Sequence, residues 1–173
     1  TDTDGHLSLS PSQKSHFYKW ARASEIAEQK RIPLVVYHEL SPYSIKQSLV
    51  TDCSFIASLC IAASYERRFG KKLVTSILYP QSNKGLPVIN DNGKYVIKLH
   101  LNGVARRVTI DDYFPVDRNY NLLVSHTKCT SHLEIWVSLI EKAYMKLMGG
   151  AGYAFPGSNS GIDLFSLTGW IPE

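Results

Sequence analysis

The chain has 173 residues, 44% hydrophobic and 20% charged, with a formal net charge of +4. That suits one domain, or one lobe of a larger one, with enough apolar material for a real core. The basic residues are scattered in pairs (Arg67–Arg68, Lys71–Lys72, Arg106–Arg107) rather than gathered in a run, which argues against a nucleic-acid partner.

The three cysteines, Cys53, Cys60 and Cys129, are odd in number and lack Cys-x-x-Cys spacing. A disulfide framework is therefore not expected, and reduced thiols are. His126, Cys129 and His132 stand three apart but have no fourth ligand clustered with them, so no metal site is expected there. No apolar stretch is long enough for a transmembrane span. The N-terminal segment 1–17, "TDTDGHLSLSPSQKSHF", is polar, does not read as a signal peptide, and is expected to fray.

Along the chain, a first helix is expected from near Ser12, interrupted around Ala23–Ser24, with Ser24 capping a short second helix. "IPLVVY" (32–37) reads as a strand. Residues 53–68 have the length and spacing of a helix, apolar almost all round and so buried, with Arg67 and Arg68 at the negative end of its dipole and Gly70 past its end. "KLVTSILYP" (72–80) reads as β-rich. "KYVIKLHL", Asn102-Gly103 and "VARRVTIDD" predict a β-hairpin with Tyr95, Ile97, Leu99 and Leu101 on its apolar face and His100 facing solvent. Leu133, Trp136, Val137, Ile140, Ala143, Tyr144 and Leu147 predict a helix over 132–148. Ser131 and Glu134 supply a capping box, and Gly149–Gly150 supply the stop. The remaining tail reads as loop with a short apolar "IDLFSL". The expected fold class is α+β, with helices around a buried one and a small antiparallel sheet.

The chemistry concentrates at Cys53. A thiol at a helix N-terminus meets unpaired backbone N–H groups and the positive end of the dipole, which favour thiolate. Cys60, two turns further on, reads as core packing. Acyl transfer also needs oxyanion donors, and Gln47, six residues before Cys53, carries a suitable amide. Spacing alone leaves both an ordinary buried helix and a nucleophile open. A redox thiol lacks a resolving cysteine.

The surrounding residues carry a resemblance. "QSLVTDCS" resembles the Gln-Gly-x-x-Gly-Asp-Cys-Trp motif of the calpains, papain-like cysteine proteases. "WARASEI", "VTIDDYFPV", "EIWVSLIEKAYMKLMG" and "LFSLTG" resemble further calpain blocks in the same order, covering roughly residues 18 to 171. "DCSFIASL", "AASYERRFG", "KLHLNGV", "FPGSNS" and "LTGWIPE" are similar to the atypical PalB-type branch.

The resemblance implies a papain-like fold, residues 18–173 forming its first, cysteine-bearing lobe. It implies Cys53 as nucleophile, Gln47 as oxyanion donor, and Gly157 and Ser158 as contacts to substrate backbone. Three residues depart from the conventional pattern: Ser54 stands for the tryptophan after the nucleophile, Thr51 for a glycine, and Ser44 for a calcium-binding aspartate. With only Glu134 left of that carboxylate pair, calcium is not expected in this lobe, nor is any other cofactor. The partner histidine and asparagine are expected beyond Glu173, about 130–150 residues past the cysteine, so the fragment alone is expected to be inactive. The resemblance further implies a cytoplasmic protein recruited to endosomes, with protein substrates and with endosomal sorting complex proteins as partners through other domains. The alternative is a non-catalytic calpain-fold scaffold or adaptor in endosomal sorting or pH signalling.

Overall fold

The computed structural model describes residues 2, 4–149 and 152–171. Pro11–His16 form α1, which Ser10 opens with a reciprocal capping box to Gln13. The predicted first helix stops there. Lys19–Arg22 form a strand, β1, and Ala23–Lys30 form α2, with Arg22 and not Ser24 at its N-cap. β1 pairs antiparallel with β7 (Tyr113–Val116), a partner far away in sequence that periodicity cannot reveal.

The predicted strand 32–37 is reduced to Leu34–Val35 (β2), which pairs in parallel with Leu133–Glu134 (β9). Ile45–Lys46 (β3) pair with His126–Thr127 (β8). Cys53–Phe69 form α3, closed by Gly70 in the left-handed conformation as expected. The segment 72–80 is mostly irregular: a 3-10 turn over Thr75–Ile77 precedes the short strand Leu78–Tyr79 (β4). β4 edges the predicted hairpin, Lys94–Leu101 (β5) and Val104–Asp111 (β6), whose turn holds Asn102 and Gly103 at positive φ.

Trp136–Met148 form α4, and Ser160–Thr168 form α5. α4 starts later than expected because 133–134 are strand. Ile135 caps it, and Glu134 does no capping. Of its stop signals, Gly149 follows the last turn, while Gly150 lies outside the described residues. α5 replaces the expected loop, its start fixed by the Asn159 side chain accepting from Ile162 N–H.

The buried helix is α4 rather than α3: every residue from Trp136 to Met145 is buried. The hairpin β5–β6 packs against it, with Tyr95, Ile97 and Leu99 inward, and α3 joins through the stacked Phe55 and Tyr144 rings, 3.9 Å apart. α5 packs on α3 and β5. His100 is therefore half-buried against Phe165 and Gly169, not solvent-facing. Lys142, buried within α4, is satisfied by Asp111 Oδ1 at 2.5 Å and by the carbonyls of Asp111 and Tyr113. The N-terminal residues are tied down: Asp2 accepts from Lys146 at 2.7 Å, His6 stacks on Trp20, and Tyr153 N–H donates to Ser8. Among the described residues no helix is long and apolar enough to cross a membrane.

Candidate active site

α3 presents one exposed stripe, Cys53, Ala57, Ile61 and Ser64, and Cys53 stands at its first turn. Ile61 is 56% exposed, so this stripe is an apolar wall leading away from the thiol. Cys60 is half-buried, its sulfur donating to Pro42 O at 3.7 Å, and burial pushes its thiol pKa up. The two thiols of one helix thus differ, Cys53 exposed and Cys60 half-buried.

Asp52 precedes the helix but does not cap it. Aspartate is among the best N-cap residues, yet its side chain makes no cap hydrogen bond and is only 1% exposed. It turns inward to the Glu141 carboxyl of α4. The first intrahelical acceptor is Asp52 O, taken by Ile56 N–H. The N–H groups of Cys53, Ser54 and Phe55 therefore have no acceptor among the described residues, and they converge at the positive end of the helix beside the sulfur.

Gln47 follows β3 in the approach loop. Its Nε2 donates to Val50 O at 2.9 Å and reaches Asp52 Oδ1 at 3.4 Å. The amide braces the turn before Cys53, and the longer contact is the one it can release. Thr51, where the family has glycine, donates its hydroxyl to Phe155 O at 3.0 Å. That bond ties the cysteine loop to residues 155–158. Gly157 lies there at φ +103, with Thr51 O 3.7 Å from where a β-carbon would stand. The conformation, not the space, demands glycine. Ser158 faces inward: its hydroxyl meets Asp163 and accepts from Tyr144 Oη at 3.0 Å. Its side chain supports the loop, leaving its backbone for any contact with substrate.

Sequence reasoning missed the buried acids beneath this surface. Burial raises the Asp52 pKa to about 6, against weaker opposing hydrogen bonds from Glu141, its own backbone and Gln47. Burial pushes Glu141 well above the usual carboxylate range, and the nearby Asp52 charge pushes it further. Burial of the two neighbouring acids favours a state in which one keeps its proton and can donate to the other. Ser125 N–H donates to Glu141 Oε2 at 3.0 Å and fixes its far side. The available signal was Glu141-Lys142 inside an otherwise apolar helix.

The positions that the resemblance links to calcium in conventional calpains, Ser44 and Glu134, do not form a calcium-type oxygen cage here. Ser44 and Glu134 line one cavity, but His38, His132 and Cys129 line it too, and Ser44 Oγ is turned to Ser41 O. Calcium takes six to eight oxygen ligands, and here two imidazole rings stand beside the Glu134 carboxyl, with Glu39 turned out to Arg67. None of the six histidines hydrogen-bonds the Cys53 sulfur among the described residues.

Comparison with known proteins gives the family. A family model described as calpain family cysteine protease matches residues 3–171. Calpain-7 of Mus musculus and of Homo sapiens are each 58% identical over 172 residues, 99% of this chain. The calpain-like protease palB/cpr-8 of Neurospora crassa is 42% identical over 96% of it. The chain spans about a fifth of the length of these relatives: 20% of the two calpain-7 proteins and 18% of the fungal one. With the motifs in order and nearly the whole chain matched, this protein belongs to the calpain family of cysteine proteases.

Proposed function

We propose that this chain is the cysteine-bearing lobe of a papain-like calpain endopeptidase, with residues 18–173 forming the lobe. The supporting observation is an exposed Cys53 at the first turn of α3, beside three backbone N–H groups without acceptors. In this reading the Cys53 thiolate attacks a peptide carbonyl carbon. The carbonyl electron pair moves onto oxygen, which the Cys53 N–H and the Gln47 amide hold. Collapse breaks the C–N bond, and an imidazolium supplied from outside this chain protonates the leaving amine. Water then hydrolyses the thioester and restores the thiol. Gly157 and Ser158 align substrate backbone along the loop held by Thr51.

The histidine and asparagine of the site belong to a second lobe of the parent chain, so this lobe alone does not turn over. The apolar stripe of α3 faces the cleft between the lobes. Protein substrates, cytoplasmic residence with recruitment to endosomes, and endosomal sorting partners bound through other domains complete the reading.

One observation favours a non-catalytic scaffold instead: both amide hydrogens of Gln47 point into its own loop. Incubating the full-length protein with an unfolded protein substrate separates the two. Peptide-bond cleavage lost in Cys53→Ala is expected. Cleavage that survives Cys53→Ala, or none in the unaltered full-length protein, would favour the scaffold.

A further inference from the structure

Three metal-ligating side chains meet away from Cys53. His38 follows β2, while His132 and Glu134 flank and end β9, the strand with which β2 pairs. One ligand atom from each lies within 4.8 Å of the others. They line a cavity of about 260 Å³ with Ser41, Ser44, Lys128 and Glu39, whose carboxylate pairs with Arg67. We propose that His38, His132 and Glu134 bind a borderline divalent cation of the zinc class, in place of calcium.

Donors in a tetrahedral zinc site stand about 3.3 Å apart. His132 Nε2 and Glu134 Oε1 are already 3.1 Å apart. His38 is exposed and its ring centroid is 4.8 Å from that of His132, so a small rotation brings it in.

The outer shell is also in place. His132 Nδ1 is 2.9 Å from Ser131 Oγ, so Nδ1–H can donate there while Nε2 turns its lone pair to the metal. Glu134 is 4% exposed, and its Oε1 accepts from His38 N–H at 2.8 Å and Glu39 N–H at 3.3 Å. Those bonds hold Oε1 in place beside His132 Nε2. Two imidazoles and one carboxylate are a zinc donor set, whereas calcium selects oxygens. Cys129 Sγ is 3.4 Å from both ring nitrogens of His132, so it lies beside the ring and off the Nε2 lone-pair axis. It is not one of the three ligands, and water takes the fourth position.

The cation would clamp the exit of β2 to the entry of α4. Residues 38–46 run from that clamp to β3, and Gln47 follows directly. The site thus sets the root of the loop that carries the amide.

The test uses the 173-residue chain, stripped with chelator and titrated with Zn2+ by calorimetry, then with Co2+ as an absorbing probe. One equivalent of Zn2+ is expected to bind, with tetrahedral Co2+ bands, no thiolate charge-transfer band and a raised melting temperature. His132→Gln and His38→Gln should each weaken binding about tenfold or more, and Cys129→Ser should leave it unchanged. His38 lies outside the core, so its variant tests the site even if His132→Gln folds poorly. Saturable binding of Ca2+ but not Zn2+, Zn2+ binding unaffected by His38→Gln, or loss of it in Cys129→Ser would each overturn the proposal.

Discussion

Replacing Gln47 with Ala in the full-length protein is expected to lower kcat about a hundred- to a thousandfold, with KM nearly unchanged. An oxyanion donor acts on charge that develops only in the transition state, so its loss falls on kcat. The structure sharpens this expectation because Gln47 also braces the turn at Val50 O. A bracing role alone would appear as lower stability and disturbed substrate binding. Gln47→Glu separates the roles. It keeps the length of the side chain but sets a carboxylate against the developing oxyanion and against Val50 O. Under the proposed role its kcat falls at least as far as that of Gln47→Ala. Steady-state kinetics read alongside thermal melts decide it. A kcat within a few fold of the parent in Gln47→Ala would remove Gln47 from the chemistry.

The second large effect concerns the acids under the helix. The folded state raises the pKa of Asp52 from 3.8 to about 6, so it binds a proton more tightly than the unfolded chain. This contribution to stability is fully present below about pH 4 and is lost as pH rises through about 6. The difference is about 3 kcal/mol. Asp52→Asn replaces the raised acid with a neutral amide that can still meet Glu141 and Gln47. The variant is expected to lose about 3 kcal/mol less than the parent between pH 4 and 7, as measured by urea unfolding at a series of pH values. Parallel profiles for variant and parent would show that Asp52 holds no extra proton in the folded state. Other carboxylates work in the opposite sense, Asp117 among them, held low by Asn121 and Asn119. The difference between the two profiles isolates Asp52.

What was legible in the sequence was what local pattern determines. The hairpin followed from alternation around Asn102-Gly103, and α3 from its length, its Gly70 stop and its arginines. The separation of Cys53 from Cys60 followed from their places along that helix. Partners remote in sequence were not legible. Residues 19–22 look helical beside α1 until Tyr113–Val116 supply strand hydrogen bonds. Ser131 and Glu134 have capping-box spacing, but pairing with β2 makes 133–134 strand, and Glu134 accepts from the His38 N–H, 96 residues away in sequence. The same pairing brings His38 to His132, which is why histidine spacing within 126–132 missed that cluster. The apolar spacing that marked α4 gave no place to Glu141 and Lys142. Both turn out to be buried, each with its own polar partners.

The central claim is that Cys53 is the nucleophile of a thiol endopeptidase. Its most direct test is treatment of the full-length protein with a thiol-directed peptide epoxide, followed by mapping of the adduct by mass spectrometry. One adduct on Cys53, with Cys60 and Cys129 unmodified and no labelling in Cys53→Ser, is the predicted result. No adduct on Cys53 under conditions that label a conventional calpain would contradict it.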